Sequence, residues 1–255
     1  MTPADAGIAG RVAMVTGASS GLGARFAQVL AEAGATVAIT ARRMDRLDGV
    51  ASGITVAGGR AVAVAMDVTS VASIREACAR VEAECGPIGI LVNNAGISRQ
   101  QRLVDVEEAD YDAVLDTNLK GAFFTAQAAA RQMIAHKIEG RIVNIASVAA
   151  LRTLGQVGTY CMSKAALTHM THSMAREWGR HGINTNAICP GYIETEISAA
   201  FLATEAGQRM VGALPRRRMG VPSDLDAILL LLCSQAPSRF INGSVMVADD
   251  GFVAA

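Results

Sequence analysis

The sequence predicts a doubly wound α/β fold, a parallel sheet of about seven strands with helices on both faces. Three observations carry this. Short β-rich runs alternate with longer helical patterns from one end of the chain to the other. Most of the short runs are continuously apolar, as parallel strands are when they are buried on both faces and joined by right-handed crossover helices. The residues are also 51% hydrophobic but only 4% aromatic, so Ala, Val, Leu, Ile and Met build the interior and helices can lie close on a sheet.

In chain order, strands are predicted at Arg11 to Thr16, Ala35 to Thr40, Arg60 to Ala65, Ile88 to Asn93, Gly140 to Ser147, Ile183 to Cys189 and Ser244 to Val247. Helices follow them at Gly21 to Ala33, Met44 to Gly53, Val71 to Cys85, Glu107 to His136, Thr159 to Arg180 and Ser223 to Cys233. The stretch Gly191 to Gly220 mixes Gly, Pro, an arginine run and the scattered apolar residues Ile197, Phe201, Leu202 and Met210, which predicts a mobile lid containing a short helix. No linker, charge block or repeat divides the 255 residues, and that length fits one hydrophobic core. Residues 1–255 are therefore expected to form a single Rossmann-type domain: a core over 11–190, the lid over 191–220, and a last helix and strand over 221–255.

Charge and cysteine usage narrow the function. Lys plus Arg (23) equals Asp plus Glu (23), which gives no field to draw nucleic acid or an anionic membrane. No apolar run approaches the roughly 18 residues of a membrane helix, and the N-terminus lacks a basic start followed by an apolar stretch. Cys78, Cys85, Cys161, Cys189 and Cys233 are odd in number and form no CxxC pair, which suits reduced thiols in a cytoplasm. His169 and His172 sit at i and i+3, but no third ligand accompanies them, and no metal is expected. Cys161 points away from Tyr160 on a helix and is read as packing.

The first strand runs into Thr16-Gly17-Ala18-Ser19-Ser20-Gly21-Leu22-Gly23, which opens a helix. Gly17 permits a tight turn, Gly21 a close backbone approach to a pyrophosphate, and Gly23 tight helix–strand packing, with free N–H groups at the helix start facing the phosphates. The second strand ends Ile39-Thr40-Ala41-Arg42-Arg43. A ribose 2′-hydroxyl is usually held by a carboxylate at that point, whereas two guanidiniums suit a 2′-phosphate, so NADP(H) is favoured over NAD(H). Further on, Tyr160 and Lys164 stand four residues apart, on one face of a helix. A free phenol has a pKa of about 10 and is about 0.1% ionised at pH 7; a fixed ammonium beside it would bring it toward the range of efficient proton transfer. Ser147 lies at the end of the fifth strand, where open α/β sheets bind ligands.

These residues, with Asp67-Val68, Asn93-Asn94-Ala95-Gly96, Asn118 and Pro190-Gly191, give a chain that resembles the short-chain dehydrogenases/reductases from Arg11 to Gly251, members of the 3-oxoacyl-[acyl-carrier-protein] reductase type among them. The resemblance implies that Tyr160 is the acid in carbonyl reduction and the base in alcohol oxidation, and that Ser147 hydrogen-bonds the substrate oxygen. It implies that Lys164 lowers the Tyr160 pKa and holds the nicotinamide ribose, with Asn118 supporting a water that leads protons to solvent. Asp67 and Val68 would line the adenine pocket, with Asn94, Ala95 and Gly96 at its strand end; Ile193 and Thr195, after Pro190-Gly191, would hold the carboxamide. Hydride would leave the B face of the ring. Trp178 and Ala126 to Ala130, with Leu229 to Leu232 and the final strand, match surfaces that the family uses to form tetramers.

Two departures from the family pattern stand out. Gly89 occupies a place where the family often carries Asp, which puts support of the adenine side in question, and Ser20 stands where many NADP-preferring members have a basic residue, leaving specificity to Arg42 alone or with Arg43. For the substrate, Val148, Leu151, Leu154 and Val157 with the lid residues suggest a mostly apolar pocket. The leading expectation is a ketone carried on a 3-oxoacyl thioester, of coenzyme A or an acyl-carrier protein docked at Arg131 and Arg176. The alternatives are an alcohol dehydrogenase or ketone reductase acting on a small, cyclic or steroid-like molecule, or a non-catalytic dinucleotide sensor.

Overall fold

In the computed structural model, which describes residues 7–194 and 204–254, all seven predicted strands form one parallel sheet. They are β1 (Val12–Thr16), β2 (Thr36–Ala41), β3 (Arg60–Ala65), β4 (Ile88–Asn93), β5 (Arg141–Ile145), β6 (Asn184–Pro190) and β7 (Val245–Ala248). Their order across the sheet is β3-β2-β1-β4-β5-β6-β7. The chain moves outward from β1 to β3 and then returns to the far side of β1 with β4. Strand order therefore reverses between β1 and β4, and a crevice opens there beyond the carboxyl ends of the two strands.

Side chains alternate between two cores, one on each face of the sheet. Val15, Ile39, Ile90 and Val92 meet Phe26 and Leu30 of α1 (Gly21–Glu32), Leu47 and Ile54 of α2 (Met44–Val56) and Leu229 and Leu232 near the far end of the chain. On the other face Met14, Leu91 and Ile142 meet Ile74 and Val81 of α3 (Val71–Cys85), then Ala126 and Met133, then Leu167 and Met170. Each buried Leu, Ile or Val contributes about 1.5–3 kcal/mol. The expectation of strands buried on both faces holds for the centre and fails at the edges: Arg60 and Ala65 at the ends of β3 are exposed, and β7 is only part-buried.

The long helix predicted over Glu107 to His136 is three pieces: α4 (Glu108–Leu115), a π-helical turn over Asp116–Lys120, and α5 (Gly121–Ala135). The wider turn carries Asn118, and apolar periodicity gives no sign of it because the helix axis continues across it. Wide turns of this kind gather at functional sites. Then come α6 (Gly158–Trp178), which carries Tyr160 and Lys164 as predicted, a short α7 (Glu205–Gly212) within the predicted lid, and α8 (Asp226–Cys233). Both ends of the described lid are tied together: Glu194 N donates to Gly220 O (2.8 Å) and Gly220 N to Tyr192 O (2.9 Å). Thr195, Ile197, Phe201 and Leu202 lie outside the described residues. No helix among the described residues is long and apolar enough to cross a membrane.

Candidate active site

The glycine turn closes β1 against the end of β4. Gly17 has a φ of +65°, and a side chain there would meet Ala95 Cα at 2.8 Å; a Cβ on Gly23 would run into the carbonyl of Gly17 and the side chain of Asn94. The turn is knitted to β4 by Thr16, whose hydroxyl accepts from Asn94 N and Ala95 N (3.0 Å each), and by Asn94 Nδ2, which donates to Thr16 O (3.0 Å) and Gly17 O (3.2 Å). Asn94 is therefore a structural tie, and Thr16, which sequence reasoning passed over, is the other half of it. Ser20 caps α1 with extended backbone but its side chain makes no capping bond, and no acidic residue occupies the first turn. The helix start, with its partial positive charge, is left open beside Ser19, Gly21 and Leu22.

The two arginines after β2 take different places. Arg43 Nη2 donates to Ser19 Oγ (3.0 Å), on the glycine turn itself. The Arg42 charge acts on Asp67, whose carboxyl is held below its usual range chiefly by the Thr69 backbone N–H, which burial opposes, and then by the Thr69 hydroxyl and Arg42. Val68 packs on the start of α5, where a Cβ on Gly121 would meet Val68 O at 2.6 Å. Gly121 is thus what lets α5 reach the Asp67-Val68 turn, and nothing in the sequence pattern distinguishes it from any other helical glycine.

Gly89 is corrected outright. It lies near the start of β4, at the opposite edge of the sheet from the crevice, and its carbonyl accepts from Arg11 Nη2 (2.7 Å). A side chain there would meet the Arg11 guanidinium, not an adenine.

At the carboxyl ends of β4, β5 and β6, Ser147, Tyr160 and Lys164 converge with Asn118 and Gly96. Lys164 is 4% exposed, donates to Ile145 O (2.7 Å) and lies 5.7 Å from the centre of the Tyr160 ring. A Cβ on Gly96 would stand 3.4 Å from Lys164 Nζ and 3.3 Å from Asn118 Oδ1, so a glycine is what lets these groups share one floor. Asn118, 1% exposed, spends its whole amide on the protein: Oδ1 accepts from Ile97 N (2.8 Å), and Nδ2 donates to Ile97 O (2.9 Å) and Ser163 Oγ (3.0 Å). Its side chain is a clamp between β4's exit and α6. Behind it Asn93 donates to Asn144, and Asn144 to Thr171 of α6 (3.0 and 2.9 Å), fixing α6 against the sheet.

Electrostatics depart from the expectation that Lys164 lowers the Tyr160 pKa. Burial pushes the Tyr160 phenol above its ordinary value, with a hydrogen bond to Ser147 pulling back. Burial also pulls Lys164 down, to about 8. Each group is dominated by its own desolvation rather than by the other's charge. The phenol is accordingly protonated across the neutral range, and the ammonium loses its proton just above it.

Beside this centre two chain segments are joined by backbone and glutamine side chains. The segment after Gly96 pairs with the approach to α6 through a bridge between Gln101 and Val157, with Gln101 N donating to Gln156 O (2.7 Å) and Gln100 Nε2 to Gln156 Oε1 (3.3 Å). Leu151 is exposed, Leu154 and Val157 are half-buried, and only Val148 is buried. Pro190 ends β6; Gly191 lets Asp249 Cα pack within 2.7 Å of where its Cβ would be, and Ile193 pairs with Gly220. Cys161 is buried, all five cysteines are free thiols, and His169 and His172 meet edge to face at 6.1 Å; among the described residues no three metal-ligating side chains cluster.

The family model for short chain dehydrogenase matches residues 11–206. The chain is 37% identical over 245 residues to gluconate 5-dehydrogenase of Gluconobacter oxydans, covering 96% of this chain and 95% of that protein. It is 38% identical over 244 residues to a 3-oxoacyl-[acyl-carrier-protein] reductase of Aquifex aeolicus, covering 95% and 97%. Among solved structures, a gluconate 5-dehydrogenase from Burkholderia cenocepacia in complex with NADP and tartrate superposes with a TM-score of 0.94 at 36% identity, covering all of both chains.

Proposed function

The chain belongs to the short-chain dehydrogenases, and we propose from that premise that it moves a hydride between NADP(H) and the ketone or secondary alcohol of a small polyhydroxylated substrate, a sugar acid or polyol. The observation that carries the chemistry is the convergence of a protonated phenol, a hydroxyl and a buried lysine at the carboxyl ends of β5 and β6, next to the crevice between β1 and β4. When bound, the nicotinamide supplies or accepts the hydride. Tyr160 gives its phenolic proton to the carbonyl oxygen in reduction and takes it back in oxidation, while Ser147 donates a hydrogen bond to the same oxygen. Lys164, the nearest buried cation, holds the negative charge that Tyr160 acquires when it gives up its proton. Asn118 acts as a positioning residue through its grip on Ile97 and Ser163.

The donor set fits a dinucleotide. Ser19, Ser20, Gly21, Leu22 and Gly23 would offer the open start of α1 to the pyrophosphate, and Asp67, Val68 and Ala95 would line the adenine side. Lys164 would hold the nicotinamide ribose, with Pro190, Gly191 and Ile193 toward the ring. Arg42 and Arg43, with no carboxylate at the end of β2, favour the 2′-phosphate of NADP(H) over NAD(H).

The identity to gluconate 5-dehydrogenase of Gluconobacter oxydans, and the likeness to the Burkholderia gluconate 5-dehydrogenase in complex with NADP and tartrate, support a substrate rich in hydroxyls over an acyl chain or a steroid. A 3-oxoacyl thioester is the second reading; it draws on the identity to the Aquifex reductase and on exposed Arg131 and Arg176. A dinucleotide sensor would have no use for a lysine buried beneath a tyrosine. The groove of about 400 Å³ lined by Leu115, Leu119, Phe123, Phe124 and Met170, with part-buried β7 at the other end, supports self-association as a homotetramer.

The test is titration with NADPH and NADH, then turnover of D-gluconate, 5-keto-D-gluconate, glycerol, threitol and acetoacetyl thioesters. NADPH is expected to bind at least about tenfold more tightly than NADH, a gap of about 1.4 kcal/mol, with turnover of the hydroxylated substrates. NADH preference would sink the arginine argument, and turnover of thioesters alone would promote the second reading.

A further inference from the structure

One hydroxyl joins the two halves of the candidate active site. Ser163 lies in the second turn of α6, fully buried, with its hydroxyl both donating and accepting. Its Oγ donates to Tyr160 O (2.7 Å), on the turn that carries the phenol, and accepts from Asn118 Nδ2 (3.0 Å) of the π-helical turn. The same amide nitrogen donates to Ile97 O (2.9 Å), and Asn118 Oδ1 accepts from Ile97 N (2.8 Å). A continuous run of hydrogen bonds therefore links the segment leaving β4, the π-helical turn and the main chain of Tyr160.

A helix does not need a hydroxyl at that position. Serine is a poorer helix former than alanine, and its bond to a carbonyl of its own helix competes with the helix ladder. The exposed hydroxyls of Thr168 and Ser173 make such bonds within α6, to Ala165 O and His169 O. Two buried hydroxyls do more. Thr171 Oγ1 donates to Leu167 O and accepts from Asn144 Nδ2 of β5 (2.9 Å each), as Ser163 accepts from Asn118. Two asparagine amides thus grip α6 at points about 12 Å apart along its axis. The Asn144 grip holds the middle of the helix to the sheet. The Asn118 grip reaches the backbone of Tyr160, next to Lys164, whose ammonium shares the floor at Gly96 with Asn118 Oδ1.

We propose that Ser163 is a positioning residue for proton transfer: by tying Tyr160 O to Asn118, it fixes the catalytic turn of α6 over the floor formed by Gly96 and Ile97. The inference rests on Tyr160 as the proton-transfer residue and adds the group that holds its turn in place. A misplacement of about 1 Å costs on the order of 10²-fold in rate, so a loosened turn shows in kcat before it shows in binding.

The test uses the full chain with NADPH and either 5-keto-D-gluconate or an acetoacetyl thioester, whichever wild type reduces. It compares Ser163→Ala, Asn118→Ala, the double variant and Thr171→Ala. Ser163→Ala should lower kcat about ten- to a hundredfold, with KM and the Kd for NADPH within about threefold of wild type. Added to Asn118→Ala, the same substitution should cost less than about twofold, because a hydroxyl with no amide to hold couples nothing. Thr171→Ala removes the other grip; it should lower the denaturant midpoint at least as far as Ser163→Ala and leave kcat within about threefold. Losses that multiply in the double variant would overturn the proposal. So would a Thr171→Ala enzyme as slow as Ser163→Ala, which would show a helix merely loosened. Hydrogen–deuterium exchange needs no substrate: Ser163→Ala should speed exchange over 96–101 and 116–121 as well as at the start of α6. Faster exchange confined to α6, spread through the whole chain, or absent refutes the coupling whatever the turnover. If wild type reduces neither ketone, or Tyr160→Phe keeps the wild-type rate, the reading of Tyr160 fails, and exchange still decides whether Ser163 ties the two segments.

Discussion

Strand β5 carries a buried cation at each end, and the two are built differently. Arg141, at its start, is 2% exposed and spends its guanidinium on protein acceptors: Nε on Ser234 O (2.7 Å), Nη1 on Gly140 O (2.8 Å) and Nη2 on Gln235 O (3.0 Å). Lys164, over its last residue, is 4% exposed and, among the described residues, makes one hydrogen bond, to Ile145 O. An ammonium has three donors. A buried cation whose donors are all claimed holds carbonyls together; one with donors to spare is kept at a cost for something that arrives later. The sheet's amino edge is finished as structure and its carboxyl edge is left incomplete as a site.

Exchanging each cation for an uncharged side chain of similar length separates the two roles, and Lys164→Met should give the larger effect. Turnover should fall on the order of 10³-fold, the scale seen when a preorganised charge at a developing anion is lost. Stability should move the other way. The Lys164 pKa falls from 10.5 to about 8 on folding, so below pH 8 both states are charged and the folded state bears a penalty of about 3 kcal/mol. Less about 1 kcal/mol for the lost hydrogen bond, the variant should be about 2 kcal/mol more stable at pH 7. As pH rises from about 8 toward 10.5, the folded wild type sheds its proton first, the penalty lifts and the variant's advantage disappears. Urea melts at pH 7 and pH 10, beside steady-state rates, check both halves; a variant less stable at pH 7 would mean that the ammonium is well solvated where it sits.

Arg141→Met should show the converse. It strands the carbonyls of Gly140, Ser234 and Gln235, which link β5 to the end of α8. Breaking a buried charged network of this kind costs about 3 kcal/mol or more, while kcat per folded molecule should stay within about twofold of wild type, since no group at the carboxyl edge is touched. Denaturant midpoints with kcat measured well below the transition decide it. Lost turnover at unchanged stability would erase the distinction between the two edges.

The same contrast explains what could be read from the sequence. Gly17 to Gly23, Ser147, Tyr160 and Lys164 were legible because their geometry follows from local rules: a turn that tolerates only glycine, an i, i+4 pair on a helix, a strand end. The π-helical turn at Asn118 was not, since one extra residue in a turn leaves the apolar spacing of α4 and α5 intact. Nor were the bond of Asn118 to Ser163 and the pairing of Gln101 with Gln156, which join residues 45 and 55 apart through contacts that only the folded sheet creates. The Lys164–Tyr160 pair was found by spacing, which carries no information on the burial that raises the phenol and lowers the ammonium.

Gly89 gives the smallest effect and the finest test of the division between edges. Its missing side chain faces Arg11, whose pKa is lowered to about 10 by burial first and by the Arg141 charge second. Two guanidiniums thus crowd this edge, with Glu139 the carboxylate already acting on both. In Gly89→Asp, a Cβ would lie 3.1 Å from Arg11 Nε and 3.2 Å from Nη2, tight enough that the arginine must give by a few tenths of an ångström. Arg11 is part-exposed, so its guanidinium can shift outward from Gly89 O and Glu139 O to make room. The new ion pair, together with removal of a strand glycine, should add about 1 kcal/mol. NADPH affinity should not change, because the position lies at the far edge of the sheet from the crevice. If the Kd for NADPH fell instead, with stability flat, the adenine side would be coupled to the amino edge through β4, and the two ends of the sheet would not be independent.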